Sequence, residues 1–216
     1  MNPGYEILSL DDLDRYPGAG EDSPVLMPLR RRLGFRPFGL NCWTAQAVGK
    51  HVIERHYERD GDEELYLVVR GRATFTVGDE TFDAPVGTLV HCPPGTLREA
   101  VAAEEGTLVV AAGAKPGEAF VPAPWEDFAV AFAQARAGDV ESARALVRDT
   151  LARHPGTWQG EYNAACFEAL HGDLEEAFLH LVQGLRIAPD EVSRLAAEDD
   201  DFSALRGDDR WRELFA

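Results

Sequence analysis

The chain of 216 residues is predicted to be an α+β protein of two domains. An antiparallel β-barrel is expected at residues 1–121 and an all-α repeat domain at residues 122–216. Three observations predict this. Short apolar runs separated by glycine, proline and acid-rich turns fill the first part. After "AKPGEAFVPAPWEDF", with its three prolines and one glycine, the chain becomes rich in Ala, Leu and Glu at helical spacing. Within that second part a set of residues recurs at a fixed offset.

In the first domain "ELYLVVRG", "RATFTV", "ETFDAP" and "TLVHCPP" each read as a strand. Gly71, Gly78-Asp79, Pro85 with Gly87, and Pro93-Pro94-Gly95 supply the turns between them. "VGDE" joins "ATFT" to "TFDA" as a hairpin, because glycine tolerates the positive φ of a tight turn. Evenly spaced short strands of this kind build a barrel or a sandwich.

In the second domain Gly138, Asp139, Ala143 and Pro155 recur as Gly172, Asp173, Ala177 and Pro189. Each glycine ends a helix and each aspartate caps the next one. Glu176 lies three residues after Asp173, the spacing of a capping box. The alanines allow close helix approach, and the prolines stop each second helix. Phe202, Leu205, Trp211 and Leu214 are the packing residues of the acidic tail. The 34-residue period resembles the tetratricopeptide repeat, with Ala143, Val147, Thr150, Pro155 and Ala177, Leu181, Gly184, Pro189 at its signature spacings. Trp125 and Trp158 stand away from the family's usual tryptophan position. The resemblance implies protein interaction, with a partner or a second copy.

Composition excludes several function classes. With 38 acids against 21 lysines and arginines, the net charge is −17, which argues against nucleic acid and anionic membrane as partners. No run of eighteen apolar residues is present to span a bilayer. The opening residues lack the basic leader and apolar core of a secretion signal. Cys42, Cys92 and Cys166 are few, odd in number and unpaired in spacing, so reduced thiols in the cytoplasm are expected. No G-x-S-x-G, phosphate-loop, H-E-x-x-H or dinucleotide fingerprint occurs.

From about Trp43 to Gly113 the chain resembles the cupin superfamily of jelly-roll barrels. "EELYLVVRG" supplies the Glu64-to-Gly71 segment at the family spacing, and "GTLVHCPPGTLR" supplies Gly87, Pro93 and Gly95. Members that bind metal use three histidines and a glutamate. His56 matches the first histidine and Glu64 the glutamate, while Glu58 and Arg98 stand where the other two histidines would be. Gly49-to-His56 and the loop "RDGDE" are each one residue longer than the pattern.

Two arrangements follow. His56 and Glu58 share strand parity and, with Glu64, form a facial imidazole–carboxylate set suited to iron or manganese, with zinc or nickel as further divalent ions. Arg98 cannot ligate, and facing Glu58 or Glu64 it would make a charge-assisted pair instead. Tyr66 and Val68 share parity with Glu64 and line the interior. His51 and His91 are read as surface or packing residues, and Trp43 with the phenylalanines of "GFRPFG" as cover for a barrel end. The pocket residues are therefore His56, Glu58, Glu64, Tyr66 and Arg98. The leading functional reading is a small-molecule binding or sensing module joined to a protein-interaction domain, with Arg98 meeting an anionic group. The resemblance also implies a metal-dependent dioxygenase, isomerase or decarboxylase, and pairing of the barrel into a homodimer.

Overall fold

The structure, a computed structural model, describes residues 5–58 and 61–215, so Arg59 and Asp60 of the lengthened loop lie outside the described residues. The chain divides after Pro122 into two compact units. In the first, β1 (Tyr16–Pro17), β2 (Val25–Met27), α1 (Leu29–Leu33) and β3 (Gly39–Thr44) precede β4 (His51–His56) and β5 (Glu63–Arg70). Then come β6 (Arg72–Val77), β7 (Glu80–Pro85), β8 (Leu89–Cys92), β9 (Arg98–Ala102) and β10 (Leu108–Ala114). They form a six-stranded sheet in the order β1-β2-β3-β10-β5-β8 and a four-stranded sheet in the order β4-β9-β6-β7. All the pairings are antiparallel.

The expected barrel is thus two sheets that do not close into one, in a jelly-roll-like arrangement. Their common core contains Val52, Tyr66, Val68, Phe75, Ala84, Val90, Ala100 and Val109, drawn from both sheets. Alternation puts Tyr66 and Val68 inside and Leu65 outside on β5, and Val90 and Cys92 inside on β8, as the two-residue period of a strand requires. The β6–β7 hairpin turns on Gly78-Asp79, since Val77 pairs Glu80 and Gly78 has φ 60°. On β4 the register with β9 shifts on both sides of Ile53, and Val52 and Ile53 are both buried. Those bulges bring His56 directly opposite Arg98.

The second unit contains α2 (Trp125–Arg136), α3 (Val140–Arg153), α4 (Trp158–His171), α5 (Leu174–Ile187), α6 (Pro189–Glu198) and α7 (Asp209–Leu214). Asp139 caps α3 by accepting the Ser142 N–H, and Asp173 caps α5 by accepting the Glu176 N–H. The capping box is only half made, because the Asp173 N–H already donates to the Glu168 carbonyl. Pro155 follows the end of α3, whereas Pro189 is the first residue of α6. There its missing N–H costs nothing. Ala143, Ala177 and Leu181 are fully buried. Phe202 and Leu205 complete the core of α4, α5 and α6, with Trp211 and Leu214 packed against it. Cys42, Cys92 and Cys166 are free and buried. Among the described residues no helix is long and apolar enough to cross a membrane.

Candidate functional site

The five residues singled out from the sequence come together in one polar cluster of the sheet unit. Glu64 and Tyr66 project from the same face of β5, and the Tyr66 hydroxyl donates to Glu64 Oε2. Arg98, the first residue of β9, is fully buried. Its Nη2 donates to the same Glu64 oxygen at 2.6 Å, its Nη1 to the Thr96 carbonyl at 2.8 Å, and its Nε to the Tyr66 hydroxyl at 3.3 Å. Arg98 therefore faces Glu64 through one nitrogen instead of a two-pronged pair, and its side chain has 0% exposure.

His56 closes β4. Its Nδ1–H donates to the Glu54 carbonyl at 2.7 Å, leaving Nε2 turned toward two carboxylates. Glu58 Oε1 lies 3.4 Å and Glu64 Oε2 3.7 Å from it. Glu58 reaches this place from beyond the end of β4, so shared strand parity with His56 is not what aligns them. His56 and Glu58 are the open side of the cluster, with 34% and 24% of their side-chain surface exposed.

The electrostatics follow from these contacts. The facing carboxyl groups of Glu58 and then Glu64 push the His56 pKa up to about 10, against the opposing effect of burial. Burial by itself would raise Glu64, but the nearby His56 imidazole, the Tyr66 hydrogen bond and the Arg98 charge hold it below the usual carboxylate range. Burial, then the Glu64 charge, pushes the Tyr66 phenol far up. These shifts favour an imidazolium at His56 and a carboxylate at Glu64, beside the Arg98 guanidinium.

The fit of a divalent metal is tested by the donor set. One nitrogen and two carboxylate oxygens of His56, Glu58 and Glu64 lie within 4.8 Å of one another. However, Glu64 Oε2 already accepts hydrogen bonds from Tyr66 and Arg98, which fill both of its lone pairs. A fixed positive charge also stands beside it. The residues present do not fit a metal.

Sequence reasoning missed Cys92. It lies directly across from Glu64 in the β5–β8 register, and burial, with Glu64 opposed by Arg98, raises its thiol. The signal was its parity with Val90. Thr96 was missed too, since a carbonyl partner leaves no mark in a sequence. His51 and His91 are surface residues paired with Glu99 and Glu63. Phe38 lines a shallow open cleft with Leu65, His91 and Lys115. In the helical unit Cys166, Asp199 and Asp201 also converge. There both Asp199 oxygens are used by Tyr162 and the Asp201 N–H, which secures the turn after α6.

Residues 43–112 match the family model described as Cupin domain. Among solved structures the chain is similar to an RmlC-like cupin protein from Desulfovibrio desulfuricans, at 22% identity over 37% of this chain and 73% of that one, with a TM-score of 0.33. It is similar to a sugar phosphate isomerase of the cupin superfamily from Silicibacter pomeroyi, at 18% identity over 51% and 77%, with a TM-score of 0.43. It is also similar to KdgF from Halomonas sp., at 20% identity over 48% and 88%, with a TM-score of 0.40. No curated protein matches the chain.

Proposed function

We propose that the cupin domain at residues 43–112 is the binding half of a small-molecule binding or sensing protein, and that the helical unit is its protein-interaction half. One observation carries the first part: a partly exposed His56–Glu58 pair stands in front of a closed Glu64–Tyr66–Arg98 network. The network fixes the inner wall, and the exposed pair offers a charged donor and a charged acceptor at 3.4 Å separation. That pair suits a small polar molecule presenting an acceptor to the imidazolium and a hydroxyl to the carboxylate. Charge-assisted hydrogen bonds of this kind are about twice as strong as neutral ones.

The second part rests on structural equivalence at the 34-residue offset. Asp139 and Asp173 cap α3 and α5 in the same way, and Ala143 and Ala177 are both fully buried. This supports two tetratricopeptide-like repeats. Two are fewer than such arrays need for independent stability, so a protein partner or a second copy is part of the proposal, as is a homodimer.

A metal-dependent enzyme has one observation in its favour, the convergence of His56, Glu58 and Glu64. Against it stand the Arg98 charge and the two hydrogen bonds already accepted by Glu64 Oε2, the oxygen that faces His56. The test of the binding reading is a calorimetric screen of small hydroxylated and carboxylated molecules. A saturable ligand is expected, weakened in His56→Ala and Glu58→Gln. A ligand indifferent to both substitutions would place recognition elsewhere and sink the reading.

A further inference from the structure

We infer that Arg98 is the resident cation of this cluster: it takes the electrostatic place of a divalent ion, and its neutralisation would turn His56, Glu58 and Glu64 into a metal site. The inference deepens the binding reading above, because it concerns the same cluster. It begins from the distances. His56 Nε2 lies 3.4 Å from Glu58 and 3.7 Å from Glu64. A first-row ion with bonds of about 2.0–2.2 Å spans such separations. The histidine-to-carboxylate spacings therefore do not keep a metal out.

The obstacle is Arg98. It enters from the strand directly opposite His56, and its Nη2 hydrogen-bonds the Glu64 oxygen that faces the histidine. With Tyr66 it uses both lone pairs of that oxygen, so a metal held at Oε2 would have to displace one of two donors. The guanidinium cannot withdraw, since it is fully buried and anchored to the Thr96 carbonyl and the Tyr66 hydroxyl. Nor can it lose its charge. A divalent ion would thus sit against a fixed positive charge on the buried side of the cluster, where Coulomb repulsion is stronger than in bulk water. What a metal supplies to such a cluster, a cation that gathers carboxylates and an imidazole, the side chain supplies already.

The experiment is a titration with cobalt(II) alone, followed by visible absorption and calorimetry, on wild type, Arg98→Met and Arg98→Lys. Wild type and Arg98→Lys, which keeps the charge, are expected to show no saturable binding. Arg98→Met is expected to bind one equivalent, at concentrations on the order of a hundredfold below those at which wild type shows no saturation, and to lose it when His56→Ala is added. If Arg98→Met does not fold, as judged by circular dichroism, Arg98→Gln takes its place. One equivalent bound by wild type and weakened by Arg98→Met would make Arg98 the outer support of a metal ligand, and would overturn the inference. Folded neutral variants as free of cobalt as wild type would overturn it also. A wild type that binds neither cobalt nor any small molecule sinks the binding reading and leaves this inference standing.

Discussion

Replacing Arg98 with methionine keeps much of the volume of a fully buried side chain and removes its charge. Glu64, with 17% side-chain exposure, then keeps the Tyr66 hydroxyl and the more distant His56. Removing one member of a buried ion pair costs about 3–5 kcal/mol, because the other is left uncompensated. Burial of the methionine offsets about 1–2 kcal/mol, so a net loss of roughly 2–3 kcal/mol is expected. In the double variant Arg98→Met, Glu64→Met the orphaned carboxylate is gone. What remains is the Tyr66 hydroxyl without its acceptor, at about 1–3 kcal/mol. The double variant is therefore expected to lose less than the sum of the single losses, with a coupling of at least about 1 kcal/mol. The assay is urea unfolding followed by Trp43, which packs against the core of the sheet unit, with Trp125, Trp158 and Trp211 replaced by phenylalanine. A single reporter is needed because two compact units need not unfold in one step. An Arg98→Met variant within 1 kcal/mol of its parent, or strict additivity in the double, would refute the reasoning.

Three further outcomes are expected. His56 has a raised folded pKa, so its stabilisation is fully present below the unfolded value near 6.5 and is lost as pH rises through about 10; the melting temperature of wild type should fall toward that of His56→Gln across this window, and a constant difference would count against the pairing. Phe202→Ala opens a cavity beside Tyr162 and Trp211 and should cost about 3–5 kcal/mol, read from the helical circular dichroism transition. Asp173→Ala removes the cap of α5 and should cost about 1 kcal/mol by the same measurement, with Asp173→Asn close to wild type.

What the sequence revealed depended on how local each feature is. β5, β6, β7 and β8 were readable because β-branched and aromatic residues alternate between glycine and proline turns. β9 "REAVA" and β10 "LVVAAGA" escaped, since alanine is a weak strand former and these strands are defined by their partners. On β4 the strand was read but its alternation was not, because its bulges break the two-residue period. In the cluster, the Glu64–Tyr66 contact follows from residues two apart on one strand. The placement of Arg98 opposite His56 depends on cross-strand register, which sequence spacing does not encode. The capping box was half right for a related reason: Asp173 does cap α5, but a carbonyl of the preceding helix took the N–H that Glu176 would have used. The barrel became two unclosed sheets, a distinction that strand spacing does not draw.

The three buried cysteines give the chain a set of internal clocks. Burial holds the Cys42 thiol up at about 11 and raises those of Cys92 and Cys166. A soluble alkylating reagent attacks the thiolate, so each sulfur reacts only as fast as its own surroundings open. Cys42 and Cys92 sit in the sheet unit and Cys166 in the helical one. Pulsed alkylation of the unmodified protein, read by peptide mass, therefore times the opening of each unit separately. Equal rates at Cys92 and Cys166 across a denaturant series would mean that the two open as one cooperative body. Diverging rates would mean that each breathes alone.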